Sequence, residues 1–254
     1  MSIIRGQSET LALLAPAVPA SPAAVAASPA ARAITIGGAL VFVVALAAGA
    51  WRFVALGTPP AEGPLLTGLL VNTALFGIFA LHHSVLAREG MKAAVARLVS
   101  PQLERSIYVW VASVLFIVVC LAWQPIAGVA YRIPPPWAWL IGVVQLAGGL
   151  LTLDAARRID VRVLAGLRPE PAQDGQLVAR GTYRVVRHPI YLGWVLLVWA
   201  ASDMTMGRLV FALISTSYLV VAVPFEERSL RRRFGPSYDA YRRQVRWRIV
   251  PGLY

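Results

Sequence analysis

Six apolar runs dominate the chain, at roughly 33–55, 65–86, 106–126, 136–155, 189–203 and 208–224. A helix needs about 20 apolar residues to cross the hydrocarbon core of a bilayer. The first four runs reach that length. The last two are shorter, and read either as tilted partners that extend into their polar flanks or as a re-entrant pair. The pattern predicts an all-α integral membrane bundle of about six transmembrane helices, with five as the alternative.

The polar stretches predict the rest. Residues 1–32 are rich in Ala, Pro and Ser, and Pro16, Pro19, Pro22 and Pro29 interrupt any long helix. This reads as a flexible tail. Leu11 to Ala15 is too short and too close to Pro16 for the core of a cleaved leader. Residues 33–254 then form one membrane domain. In segment 88–99, Met91, Val95, Leu98 and Val99 recur at helical spacing, as in a helix lying along the interface. Segment 225–246 is helical, broken at Phe234-Gly235, with Pro236 starting a second short helix.

Composition agrees. Of 254 residues, 58% are hydrophobic and 14% charged, against about 25% charged in soluble domains. Mean hydropathy is +0.65. The net charge is +12 and Lys92 is the only lysine. The arginines cluster at the ends of apolar runs, which points to anionic lipid headgroups rather than nucleic acid. Of the 24 cationic residues, 21 fall on one side of six alternating crossings; Arg52, Arg132 and Arg208 are the exceptions. By the positive-inside rule both termini are cytoplasmic. The single cysteine, Cys120, excludes an intrachain disulfide and reads as a small core or lipid-facing residue. Trp123, Trp137, Trp139, Trp194 and Trp199 fall near run ends, as interfacial anchors do. Oligomeric state leaves no mark in the pattern.

The chemistry concentrates in two clusters. The first runs from Gly181 through Tyr183, Arg187, His188, Pro189 and Tyr191 to Gly193. The second holds Glu226, Glu227, Leu230, Phe234, Gly235, Tyr238 and Tyr241. One apolar hairpin separates them, so both clusters return to the same membrane boundary. Ionisable groups there are costly unless paired or functional. Glycines at 181 and 193 permit close backbone approach to a ligand. A third set, His83, Arg88, Glu104, Arg105 and Tyr108, lies near the same boundary. It reads as a network tying that loop to the bundle or as the substrate side of a pocket. His82 and His83 have no carboxylate at zinc-ligand spacing, so no metal site is expected.

G-x-Y-x-x-x-R-H-P-x-Y-x-G followed by E-E-x-x-L and F-G-x-x-Y-x-x-Y resembles the isoprenylcysteine carboxyl methyltransferase superfamily. His83-Ser84-Val85-Leu86-Ala87-Arg88, Pro101, Glu104-Arg105-Ser106-x-Tyr108 and Trp123-Gln124-Pro125 resemble its branch of bacterial methanethiol S-methyltransferases and NnrU-type proteins. The resemblance implies a multi-pass protein of the bacterial inner membrane that uses S-adenosylmethionine, yields S-adenosylhomocysteine and needs no metal. It places the cofactor at about 180–246, under cytoplasmic C-terminal helices. Gly181, Tyr183, His188, Pro189, Tyr191, Gly193, Tyr238 and Tyr241 would line that pocket. Arg187, Glu226 and Glu227 would be catalytic, Arg187 by gripping the carboxylate of donor or substrate. The implied substrate is a small thiol such as methanethiol, made into dimethyl sulfide. A lipid-like substrate such as a prenylcysteine carboxylate is the alternative, and a non-catalytic NnrU-like protein a further one.

Overall fold

The computed structural model describes residues 28–86, 89–95, 97–168 and 177–254. Most of the expected tail lies outside the described residues. In chain order the elements are α1 (Pro29–Ala55), α2 (Leu65–Leu86), α3 (Glu89–Val95), α4 (Pro101–Ala122), β1 (Val129–Arg132), α5 (Trp137–Arg158) and α6 (Val161–Leu164). A 3-10 turn (Gly181–Arg184) follows, then α7 (Pro189–Trp199), β2 (Asp203–Thr205), α8 (Met206–Phe234) and α9 (Pro236–Gln244).

Ser28 caps α1. Its hydroxyl accepts from the Ala31 N–H at 3.2 Å, and Pro29 fills a first-turn position where its missing donor does no harm. The helix therefore starts before its apolar run, at Pro29. Helices α1, α2, α4, α5 and α8 are long and apolar enough to cross a membrane. Their apolar windows are only 11% to 33% buried, so most of that surface is left for lipid. The chain is a multi-pass membrane protein.

The fifth run departs from the six-helix expectation. Helix α7 has 11 residues, about 16 Å at 1.5 Å per residue. The run continues as extended chain into β2, which pairs antiparallel with β1, Arg132 opposite Asp203 and Val129 opposite Thr205. This pass is therefore an 11-residue helix followed by a short non-helical stretch that ends in a three-residue strand, and the all-α class carries one small two-stranded ribbon. Extended backbone near hydrocarbon survives only where protein covers it, and Ala201, Met204 and Thr205 are buried.

Phe211 of α8 is the centre of the core. Its ring lies 5.2 to 6.4 Å from those of Trp123, Trp194, Phe53 and Phe76, which come from four different parts of the chain. Trp123, Trp194 and Trp199 thus belong to the core rather than to the interface. The indoles of Trp194 and Trp199 donate to Ser215 and Thr216 of α8, which is how a buried tryptophan satisfies its N–H. Trp137 and Trp139 are exposed, as anchors should be. Cys120 is buried in the core.

Gly193 marks the closest helix contact. A Cβ there would overlap Thr152 Oγ1 and sit 2.6 Å from the Gly148 carbonyl oxygen. The close approach this glycine permits is to α5. Small residues let membrane helices approach in this way.

Helix α8 contains Pro224, which cannot donate to the Val220 carbonyl. The hydroxyl of Tyr254 donates to that carbonyl instead, at 3.3 Å. At Gly235 the backbone turns with φ of 51°, a left-handed value that glycine adopts freely. Helix α9 then folds back, and residues 247–248 run beside 187–188: Trp247 O accepts from Arg187 N at 2.9 Å, and Arg248 O from His188 N at 2.8 Å.

Candidate active site

The two sequence clusters meet at one end of the bundle. Arg187 is buried, and its Nε donates to Glu227 Oε1 at 2.6 Å. Its Nη1 donates to the carbonyls of Val245 at 2.7 Å and Arg246 at 2.8 Å. Arg248 Nε lies 3.4 Å and Arg242 Nε 4.0 Å from Glu227 Oε2. Glu227 is therefore caged by three guanidiniums, its side chain only 5% exposed. A buried charge persists when it is paired and hydrogen-bonded in this way. Two of the three Arg187 nitrogens are thus engaged within the protein.

The neighbouring glutamate meets a different environment. The side chain of Glu226 is 43% exposed. Its Oε2 accepts from the Tyr191 hydroxyl at 2.8 Å. Successive helical residues point about 100° apart, so one turns into the arginine cage and the other out of it. His188 bridges the two environments. Its Nδ1 is 3.5 Å from Glu226 Oε2 and its Nε2 is 3.6 Å from Glu227 Oε1. Neither separation is a good hydrogen bond, and Nε2 is buried without a hydrogen-bond partner. The imidazole stacks on Tyr191, centroids 5.3 Å apart and planes 8° apart. Pro189, buried beneath, starts α7 and fixes where His188 points.

Three tyrosines complete this end. Tyr241 donates to the Tyr183 carbonyl at 2.7 Å. Tyr238 is buried beside Tyr241, ring centroids 6.0 Å apart. Burial pushes the Tyr241 hydroxyl up to about 12. Burial first raises both Tyr183 and Tyr238 well above the usual phenol range, reinforced by the Glu226 carboxylate at Tyr183 and chiefly by the Glu227 carboxylate at Tyr238. All three stay neutral at physiological pH. Gly181 adopts φ of 62°, and a Cβ there would overlap the Arg158 guanidinium. It shapes the turn leading into Tyr183.

The third set lies across the bundle. Tyr108 OH and His83 Nδ1 are 2.8 Å apart. Arg105 Nε donates to the Val163 carbonyl at 2.9 Å, and its guanidinium stands 5.0 Å from the Tyr108 ring centroid. Arg105 thus ties α4 to α6. Glu104 is half-buried in the first turn of α4, where a carboxylate suits the helix dipole. Arg88 lies outside the described residues.

The structure adds residues that the motifs do not contain. Tyr218 of α8 stands 3.3 Å from Ser84 Oγ, hydroxyl to hydroxyl, and edge-on to His83. It packs with Tyr191 around Leu219 and Val223. It links the His83–Tyr108 set to the Tyr191–Glu226 pair. A phenol inside an apolar run is the signal that could have found it.

The phospholipid methyltransferase family profile matches residues 163–237, which hold most of this site. Methanethiol S-methyltransferase 2 of Bradyrhizobium diazoefficiens is 36% identical over 198 residues, covering 73% of this chain and 74% of the relative. A methanethiol S-methyltransferase of Mycobacterium tuberculosis is 38% identical over 191 residues, covering 72% and 78%. The protein-S-isoprenylcysteine O-methyltransferase of Dictyostelium discoideum is 29% identical over 122 residues, covering 46% and 50%. No solved structure matches significantly. Fold, site and relatives together define a membrane-embedded methyltransferase. The chain belongs to the methanethiol S-methyltransferase family, within the isoprenylcysteine methyltransferase superfamily.

Proposed function

We propose that the protein transfers a methyl group from S-adenosylmethionine to a small thiol such as methanethiol, releasing dimethyl sulfide and S-adenosylhomocysteine. The observation that carries this reading is the split between adjacent glutamates: Glu227 is locked into three arginines, and Glu226 is half-exposed with one phenolic donor. A thiol reacts as the thiolate. Its proton needs an acceptor, and Glu226 is the carboxylate free to take it.

The residues present fit the donor. Buried His188 Nε2 lacks a partner, and the stacked His188–Tyr191 pair offers a flat aromatic face. The donor brings an activated methyl group, so the protein's work is alignment and exclusion of water. His188, Pro189 and Tyr191 form one wall, with Tyr183, Tyr238 and Tyr241 as the cover. Arg187 and Glu227 hold the cover down through the Val245 and Arg246 carbonyls. His83, Tyr108 and Tyr218 face the acceptor side. With the donor bound, Glu226 would accept the proton of the thiol as its sulfur becomes the nucleophile.

The alternation of 21 of 24 cationic residues supports a bacterial inner-membrane protein with both termini cytoplasmic. The test of the reaction is purified protein with methyl-labelled S-adenosylmethionine, offered methanethiol or a farnesylated cysteine analogue. Labelled dimethyl sulfide is expected. Label appearing only on the farnesylated analogue would replace the thiol reading with the prenylcysteine one.

A further inference from the structure

An open cavity of about 790 Å³ is lined by the C-terminal segment, the end of α8 and Arg187. Arg187 forms part of its wall, with Arg231 from the last turn of α8, Arg242 and Arg243 from α9, and Arg246 and Arg248 beyond it. The one carboxylate in the lining is Asp239. Asp239 is already engaged, 2.9 Å from Arg231 Nε and 3.9 Å from Arg242 Nη1. Glu227, behind the wall, is shared by Arg187, Arg242 and Arg248. Six guanidiniums therefore meet two carboxylates. The exposed side chains of Arg243 and Arg246 have no carboxylate partner among the described residues.

The wall is held in place rather than loosely draped. Residues 247 and 248 are hydrogen-bonded to the backbone of 187 and 188, and the carbonyl of Arg246 to the Arg187 guanidinium. The cavity is thus a preorganised concentration of positive charge, which gains most from an anion that accepts several hydrogen bonds at once. That balance is wrong for the proposed methyl donor, whose sulfonium and ammonium outnumber its one carboxylate. Phosphate oxygens match guanidinium forks in geometry as well as charge. The cavity also sits where α8 leaves the apolar layer, and Trp247 and Tyr254 in its lining are residue types that favour the headgroup level of a bilayer.

We infer that this cavity binds the phosphate of an anionic phospholipid headgroup; it shares Arg187 with the candidate active site, but His188, Tyr191 and Glu226 are not in its lining. Arg243 and Arg246 are its discriminating residues. The inference does not depend on which substrate is methylated.

The experiment uses the full chain, delipidated in neutral detergent, in native mass spectrometry with phosphatidylglycerol or phosphatidylcholine added. Retention of phosphatidylglycerol in clear excess over phosphatidylcholine is expected, weakening with salt. The Arg243→Gln/Arg246→Gln variant should lose that retention by roughly tenfold or more. Both side chains are exposed, so the variant should fold, with an unchanged melting temperature as the control. Arg243→Lys/Arg246→Lys should keep most of the retention. Equal retention of the two lipids, or undiminished retention by the glutamine variant, would overturn the proposal. So would inorganic phosphate protecting these arginines while phosphatidylglycerol is ignored, since the anion would then be a soluble one.

Discussion

Arg187 and Glu227 stand 40 positions apart in the sequence and 2.6 Å apart in the fold, each buried and each the main counter-charge of the other. Arg187 also holds two carbonyls of the C-terminal segment, so the pair joins the segment leading into α7, α8 and the chain beyond α9 at one point.

Removing half of this pair leaves a buried charge uncompensated, at a cost of about 3–5 kcal/mol. Arg187→Ala and Glu227→Ala should therefore each lower the melting temperature and abolish methyl transfer. The double variant should be less destabilised than the sum of the singles. Additive losses in thermal unfolding would show that the two residues do not act together.

Glu226→Gln keeps shape and removes the proton acceptor. With saturating donor it should retain donor affinity and lose turnover near neutral pH. Turnover should recover in part as pH approaches the thiol's own range, about 8.5 and above. A fall in donor affinity with no alkaline recovery would assign Glu226 to binding the donor's ammonium group instead.

The tyrosine cover sets an alkaline limit. Tyr241 is raised to about 12, and Tyr238 is raised also, by burial. A raised folded-state value means that both favour the folded state fully below the unfolded phenol value of about 10, and lose that contribution as pH rises through the folded one. The melting temperature should hold to about pH 10 and fall above it. Tyr238→Phe should flatten the fall, and an unchanged slope in that variant would point to other groups.

Gly193→Ala places a methyl group against Thr152 Oγ1 and the Gly148 carbonyl, both in α5. Overpacking of this kind costs about 1–3 kcal/mol. The variant should be less stable, and Gly193→Leu should fail to accumulate in the membrane. A Gly193→Ala protein as stable as the parent, with altered donor affinity, would instead give this glycine a direct part in the donor pocket.

Orientation is testable after Cys120 is replaced by serine. Single cysteines at Ala61 and Arg132 should react with an impermeant maleimide applied to intact cells, and those at Val95 and Ala240 only after lysis. Labelling of Ala240 from outside would invert the arrangement.

The first four crossings were legible because apolar run and helix coincide. Helix α7 was not: residues 189–203 read as one apolar run, yet the helix stops at Trp199 because the following chain pairs with β1, about 70 residues earlier. A non-local partner leaves no trace in a run's composition. The motifs marked the two clusters that the fold brings together, but not the contrast between their two glutamates. Glu226 and Glu227 are identical in sequence, and only packing decides which one faces the arginines. The carbonyls of Val245 and Arg246 carry no side-chain identity, so their part in holding Arg187 could not be read. Trp123 and Trp194 misled for a related reason: nearness to a run's end does not say whether a ring points outward to lipid or inward to Phe211.

The partners of Arg187 also impose an order in time. When Arg187 leaves the ribosome, Glu227 has not yet been made, and the carbonyls of Val245 and Arg246 come later still. The first four crossings can be placed before any of these groups exists. The arginine must wait in water or among headgroups until α8 arrives, and is fully engaged only once residue 246 follows. This end of the bundle is therefore the last part of the molecule to become native. A chain halted before residue 245 would be largely inserted yet still carry a guanidinium without its carbonyl acceptors, a state that membrane quality control could distinguish from the finished protein.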